Sequence, residues 1–112
     1  MIILCDNDYC GLYASKEYNI GKIIHRLLGD IVEEPTRTSI QITKNIHIED
    51  ERAKYMNHSF NPNCEIMGRD IIALNHIIEM EELTFNYNTT ENKLSFPFID
   101  NITNEAVLGN KL

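Results

Sequence analysis

The sequence has little cysteine, little basic charge and no long apolar run. It contains 3 cysteines and no C-x-x-C pair, so neither a zinc cluster nor a dithiol redox motif is indicated. Its 10 Lys and Arg are outnumbered by 17 Asp and Glu, and the net charge of -7 argues against a phosphate-binding surface. Apolar runs such as residues 71–74 fall far short of the roughly 20 residues that a membrane-spanning helix needs. The composition predicts no nucleic-acid partner and no membrane insertion, and it favours a cationic partner.

The cysteines and the first residues of the chain both indicate a reducing compartment. Cys5, Cys10 and Cys64 cannot all pair within one chain, and free, reduced thiols fit best. The first residues show neither a basic segment nor a long apolar one, so no secretory signal is visible. We therefore expect a cytoplasmic location, with a nuclear protein and a secreted effector as open alternatives.

Length and composition predict a single folded domain over residues 1–112. Hydrophobic residues make up 43% of the chain and charged residues 24%, as in ordinary globular proteins. With 112 residues the chain has room for one hydrophobic core and not for two. The 3 prolines are scattered and no repeat interrupts the sequence, so no linker divides it.

Residues 20–31 carry conflicting signals. Their isoleucines and leucines follow the i, i+3, i+4, i+7 spacing of an amphipathic helix. However, Gly21 and Gly29 bracket only a short segment that contains two β-branched residues, so two short strands joined at Gly29 are also compatible. The residues alone leave both interpretations open.

The rest of the chain predicts strands more often than helices. Residues 38–43 alternate polar and apolar side chains, and residues 70–74 and 83–87 are rich in β-branched or aromatic types, so three strands are expected. Residues 49–56 contain good helix formers and predict a short helix, while residues 79–82 predict a polar turn.

Two motifs stand out from this background. The first is Asn57-His58-Ser59-Phe60-Asn61-Pro62-Asn63-Cys64, and the second is Glu81-Glu82-Leu83-Thr84-Phe85-Asn86-Tyr87. Together they resemble the C-terminal half of the SET domain, the fold of protein-lysine methyltransferases that use S-adenosylmethionine. The stretch Gly11-Leu12-Tyr13-Ala14 is similar to the end of the glycine-rich turn in the N-terminal half of that family.

The resemblance covers about residues 9–98 and implies a mostly β fold with short helices and loops. It implies small curled sheets in a β-clip, with residues 21–32 forming short strands rather than a helix. It also implies a C-terminal pseudoknot that brings Asn57 and Tyr87 to one site. Residues 99–112 would form a tail, which lacks the cysteines that many members use to bind zinc.

The resemblance also implies roles for individual residues. Tyr87 matches the catalytic tyrosine beside the transferring methyl group, and Phe85 and Phe98 are expected to wall the channel for the target lysine. The residues expected to bind S-adenosylmethionine are Cys10, Gly11, Leu12, Lys54, Asn57 and His58. No metal is expected. Phenylalanine at position 85 would leave space for more than one methylation.

The chemistry of methyl transfer is consistent with these residue types. Transfer from a sulfonium to an amine is an in-line displacement that depends on alignment. The nucleophile must be a neutral amine, and a narrow aromatic channel beside a sulfonium disfavours the ammonium form. The expected partner is a lysine-containing protein, with histones and other basic proteins as candidates, and a homodimer is an open possibility.

Two departures from the family pattern favour a second interpretation. Tyr9 replaces the first glycine of the turn, and Leu27 replaces a tyrosine that lies in the channel of many members. A SET-like binding module without catalysis is therefore one alternative. A Cys–His hydrolase that uses Cys64 with His58, or Cys10 with His25, is a weaker one, because no oxyanion-forming glycine turn accompanies either cysteine.

Overall fold

A computed structural model describes residues 1–92, 94–95 and 97–109 of the chain. Short strands dominate, and no helix among the described residues is long and apolar enough to cross a membrane. The strands are β1 (Ile2–Asp6), β2 (Tyr9–Tyr13), β3 (Ile23–Arg26), β4 (Asp30–Val32), β5 (Ile40–Thr43), β6 (Ile46–Glu49), β7 (Asn57–His58), β8 (Cys64–Met67), β9 (Asp70–Ala73), β10 (Thr84–Phe85), β11 (Phe98–Ile99) and β12 (Ala106–Val107). Two single turns of 3₁₀ helix lie at Ala53–Tyr55 and Tyr87–Thr89.

The strands form small sheets instead of one large one. Two sheets have three strands, in the orders β3-β9-β8 and β4-β6-β5, and all of their pairings are antiparallel. β1 pairs with β2 and β11 with β12 as antiparallel hairpins, whereas β7 and β10 pair in parallel. This architecture confirms the predicted fold class of short strands in small sheets.

The helical periodicity of residues 20–31 is misleading, and the two-strand interpretation is confirmed. β3 ends at Arg26, and β4 begins at Asp30 in a different sheet. Gly29 lies between them with φ +145° and packs so closely on the backbone of β6 that a Cβ atom would overlap the Glu49 carbonyl oxygen. Only glycine fits this position, and the chain breaks direction there instead of continuing a helix.

The hydrophobic core collects buried side chains from about half of the strands and from the segments between them. It joins residues of β2, β5, β6, β8, β9 and β10 to those segments. The largest fully buried side chains are Leu12, Leu27, Ile48, Met56, Ile71, Ile77, Leu83, Val107 and Cys64. Because these residues are distant in sequence, burial of apolar surface ties the small sheets into one unit.

Two predicted elements are shorter than expected. The helix predicted at residues 49–56 is reduced to the turn Ala53–Tyr55, which Asp50 caps by accepting hydrogen bonds from the N–H groups of Arg52 and Ala53, both at 2.8 Å. The strand predicted at residues 83–87 ends at Phe85, and Tyr87 begins a 3₁₀ turn. Phe85 and Tyr87 therefore do not share a strand face.

The prediction of three free thiols is wrong for two of them. Cys5 and Cys10 are opposite each other in the β1–β2 hairpin and form a disulfide. The register of the hairpin brings the two side chains together, and the sequence spacing alone does not reveal that register. Cys64 is free and buried.

The last described residues form a hairpin and not an irregular tail. Phe98 and Ile99 pair with Ala106 and Val107, and the Val107 side chain is fully buried. The N–H of Gly109 donates to the Asn88 side chain at 2.9 Å, which ties this hairpin to the turn that follows β10. The C-terminal hairpin thereby comes to lie beside β7.

Candidate active site

Parallel pairing of β7 with β10 creates the candidate site. Asn57 lies opposite Thr84 and His58 opposite Phe85, so the two sequence motifs become neighbours. The backbone N–H of Tyr87 donates a 3.1 Å hydrogen bond to Nδ1 of His58. The predicted meeting of Asn57 and Tyr87 at one place is confirmed, and the pairing of two short strands produces it.

A hydrogen bond fixes the hydroxyl of Tyr87, and aromatic neighbours surround its ring. Its hydroxyl donates a 2.6 Å hydrogen bond to the Met56 carbonyl, and burial raises the pKa of the Tyr87 phenol far above its ordinary value. Its ring lies 5.0 Å from the Phe85 ring and 6.0 Å from the Phe98 ring, measured between centroids. The phenol is therefore neutral and fixed, and its oxygen keeps lone pairs for other donors.

Two cavities meet at Tyr87. The large cleft has a volume of about 580 Å³, and its lining includes Tyr9, Asn57, His58, Tyr87, Phe98 and Asp100. The small cavity has a volume of about 30 Å³, and its lining includes Ala53, Lys54, Met56, Phe85, Tyr87 and Glu91. Thr36, Arg37 and Leu94 also line both. The Tyr87 side chain thus belongs to the wall of each.

The His58 side chain is buried, and one of its ring nitrogens has no hydrogen-bond partner among the described residues. Its Nδ1 accepts from Tyr87, so the proton of the neutral ring is on Nε2. That atom is buried without a hydrogen-bond partner among the described residues, and it lies 3.6 Å from Asp100 Oδ2. Phe60 and Phe98 pack edge-on against the ring. Burial lowers the pKa of His58 more than Asp100 raises it, so the ring is neutral at physiological pH.

Asn57 connects the first hairpin to the second motif. Its Nδ2 donates to the Cys10 carbonyl and to Glu82 Oε2, both at 2.7 Å. The Tyr9 hydroxyl also donates to Glu82, at 2.9 Å to Oε2. Partial burial and the Glu82 carboxylate raise the pKa of Tyr9 to about 12. The residue that departs from the family glycine is thereby built into the wall of the large cleft.

Only some of the predicted cofactor residues line the large cleft. Asn57 and His58 line the large cleft, and Cys10 contacts Asn57 through its carbonyl. Gly11 is buried, and a Cβ atom there would come within 2.6 Å of Glu82 Oε2, so a side chain would require the Glu82 carboxylate to shift. The Leu12 side chain is in the core. Lys54 borders the small cavity and pairs with Glu51 at 3.2 Å.

The two predicted channel residues lie on opposite sides of Tyr87. Phe85 borders the small cavity and is almost fully buried, whereas Phe98 borders the large cleft beside His58. Residues that the sequence did not single out complete the site, namely Glu82, Glu91 and Asp100. Glu82 is part of the quoted second motif, but Glu91 and Asp100 lie in polar segments with no distinguishing pattern.

The hydrolase alternative does not fit the structure. Cys10 is in a disulfide, and Cys64 donates its thiol hydrogen to Asn63. Burial raises the pKa of the Cys64 thiol to about 12, which keeps it protonated and unreactive. Among the described residues, no group of three or more His, Cys, Asp or Glu side chains is arranged to hold a metal ion.

Comparison with known proteins identifies the family. The model of the SET domain matches residues 7–88, which is most of the chain. The chain belongs to the SET-domain family. The match ends one residue after Tyr87 and includes both motifs and the β1–β2 turn.

The relatives found are fungal histone methyltransferases. The chain is 29% identical over 114 aligned residues to a histone-lysine N-methyltransferase, H3 lysine-36 specific, of Cryptococcus neoformans, with 78% of the chain covered. It is 30% identical over 105 residues to the protein of the same name from Yarrowia lipolytica, with 70% covered. The alignment spans 14% of the length of each relative, so the similarity concerns only a small part of those proteins.

Proposed function

We propose that the chain transfers a methyl group from S-adenosylmethionine to the side-chain amine of a protein lysine. The observation that carries the proposal is the position of Tyr87 in the wall between the two cavities. One cavity presents Asn57 and His58, and the other presents Phe85. A methyl donor in the large cleft and an amine in the small cavity would both reach the Tyr87 side chain.

The large cleft suits the proposed cofactor. A volume of about 580 Å³ is in the range of small-molecule sites. The buried Nε2–H of His58, which has no partner among the described residues, supplies a donor, and Asp100 supplies negative charge near a cationic ligand. The aromatic ring of Phe98 offers a flat apolar surface. We assign the cofactor to Asn57, His58, Phe98 and Asp100, with the β1–β2 hairpin behind Asn57.

The residues of the chain would then align the two reactants. S-adenosylmethionine, when bound, supplies a methyl group activated by a sulfonium. Because the Tyr87 hydroxyl hydrogen is directed to Met56, its oxygen can accept weak hydrogen bonds from a polarised methyl group or from the amine. Phe85 gives the small cavity an apolar wall, and a sulfonium bound nearby would favour the neutral amine. Alignment of this kind supplies much of the acceleration in a displacement reaction.

We propose a histone or another basic protein as the substrate. The net charge of -7 favours a cationic partner, and the relatives from Cryptococcus and Yarrowia are named as histone methyltransferases. A cytoplasmic or nuclear location and a homodimer remain proposals of the same kind.

One observation favours a non-catalytic SET-like module as the second candidate. Leu27 is fully buried in the core, so the position at which many members carry a channel tyrosine contributes no polar group here. A protein of this kind would bind the cofactor and the lysine but would not transfer the methyl group.

Transfer of labelled methyl groups separates the two candidates. The purified chain is incubated with methyl-labelled S-adenosylmethionine and core histones, and mass spectrometry identifies the modified residue. We expect methyl-lysine with the wild type and with Tyr18→Phe, a matched control outside both cavities, and little with Tyr87→Phe. Cofactor binding without transfer would favour the module, and the absence of both binding and transfer would overturn the proposal.

A further inference from the structure

The small cavity contains a buried carboxylate that the proposed reaction does not yet use. Glu91 is 4% exposed and borders this cavity together with Phe85 and Tyr87. The N–H of Gln41 donates to its Oε2 at 2.8 Å, and the Thr90 hydroxyl donates to the same oxygen at 2.7 Å. Among the described residues no hydrogen bond reaches Oε1, which leaves that oxygen available to a ligand.

Two basic residues, Arg37 and Lys54, border the same cavity as Glu91, and Lys54 pairs with Glu51. Within the described residues no salt bridge reaches Glu91, although buried carboxylates are usually paired. Burial raises the pKa of Glu91, while the two hydrogen bonds and His47 act in the opposite direction. A cation that entered the cavity would offset the cost of burying the carboxylate.

The size and walls of the cavity define the cation. A volume of about 30 Å³ holds one group of the size of a water molecule, such as a primary ammonium, and is too small for a planar guanidinium. The rings of Phe85 and Tyr87, with centroids 5.0 Å apart, provide aromatic faces that attract a cation.

We propose that Glu91 is a specificity-determining residue that receives the ammonium group of the incoming lysine in the small cavity. The assignment rests on the proposed function, because it takes the small cavity as the end of the lysine channel. Glu91 selects a lysine on entry over a neutral side chain of the same length, and Phe85 and Tyr87 provide the walls. This role concerns the binding and selection of the ammonium form and not the methyl-transfer step.

Binding of small amines tests the assignment without any turnover. Butylammonium, which has the end of a lysine side chain, and 1-butanol, its neutral counterpart, are titrated into the full chain at pH 7. The NMR signals of the Phe85 and Tyr87 rings report occupancy. We expect the wild type to bind butylammonium about tenfold more tightly than butanol. Glu91→Gln, which keeps the shape and can still accept hydrogen bonds, should abolish that preference.

Glu65→Gln is the matched control, because Glu65 lies on β8 and borders neither cavity. It should keep the wild-type preference. The proposal is overturned if the wild type shows no preference for butylammonium, a result that needs no variant to fold, or if Glu91→Gln keeps the preference. If the preference follows Glu91 but no methyl transfer is found, the ammonium site stands and the proposed function fails. If methyl transfer occurs but Glu91→Gln keeps the preference for butylammonium, the proposed function stands and the ammonium site fails.

Discussion

The backbone N–H of Tyr87 and Nδ1 of His58 are joined by a 3.1 Å hydrogen bond that links the two motifs of the sequence. This bond fixes the tautomer of the imidazole and holds the start of the 3₁₀ turn that follows β10. It also makes the large cleft sensitive to the charge of His58, because a doubly protonated ring could not accept it.

Removal of the Tyr87 hydroxyl should separate catalysis from folding. Tyr87→Phe keeps the ring among its neighbours but leaves the Met56 carbonyl without its 2.6 Å donor, so we expect a loss of about 1–3 kcal/mol in the free energy of unfolding. Methyl transfer should fall roughly a hundredfold or more, the scale for one lost polar contact to a transition state. Urea unfolding and a transfer assay measure the two effects. An unchanged transfer rate would remove Tyr87 from the reaction.

A hydroxyl added at Phe85 should change the product. Phe85 borders a cavity with room for about one water molecule, and Phe85→Tyr would place a polar group there. We expect a shift from higher methylation toward monomethyl-lysine, because the hydroxyl and any water it holds would occupy space that a methylated amine needs. Mass spectrometry of the products provides the measurement, and a product distribution identical to that of the wild type would contradict the channel assignment of Phe85.

Loss of the Asn57 amide should weaken cofactor binding. Asn57→Ala breaks the hydrogen bonds to the Cys10 carbonyl and to Glu82 and releases the β1–β2 hairpin from the second motif. Because this change alters the wall of the large cleft, we expect the affinity for the cofactor to fall about tenfold or more. Calorimetry with S-adenosylmethionine measures this change. Asn61→Ala, an exposed neighbour outside both cavities, is the control and should bind as the wild type does.

Acid should destabilise the fold through His58. Burial lowers its pKa in the folded state, so below the ordinary value of about 6.5 the unfolded chain binds a proton that the folded chain does not. The contribution of His58 is therefore complete above about pH 6.5 and decreases as the pH falls toward the folded-state pKa. Urea unfolding of the wild type and His58→Gln between pH 8 and 5 measures the difference. Equal slopes for the wild type and His58→Gln would argue against this role.

The sequence predicted those features for which the chemistry requires a particular residue type. It was less informative where the register of strand pairing decides which residues meet. Asn57, His58 and Tyr87 could be predicted because their motif resembles a family, and the parallel pairing of β7 and β10 confirms that they meet. The periodicity of residues 20–31 indicated a helix because apolar spacing does not reveal that Gly29 packs on the Glu49 backbone. The disulfide was missed because the pairing of Cys5 with Cys10 depends on the register of a hairpin. Glu91 was missed because its burial results from the distant Gln41 and not from its sequence neighbours.

The contribution of the C-terminal hairpin to the large cleft has a consequence for how the protein responds to ligands. Any molecule that touches both Asn57 and Asp100 connects β7 to the C-terminal hairpin, and it binds only when both are in place. Such a molecule stabilises the closed hairpin, because the molecule must dissociate before the hairpin can open. At a hundredfold excess over its dissociation constant it would add about 2.7 kcal/mol to the free energy of unfolding. Thermal melting in the presence of candidate small molecules therefore reads out occupancy of the cleft, even in a variant that has lost all turnover.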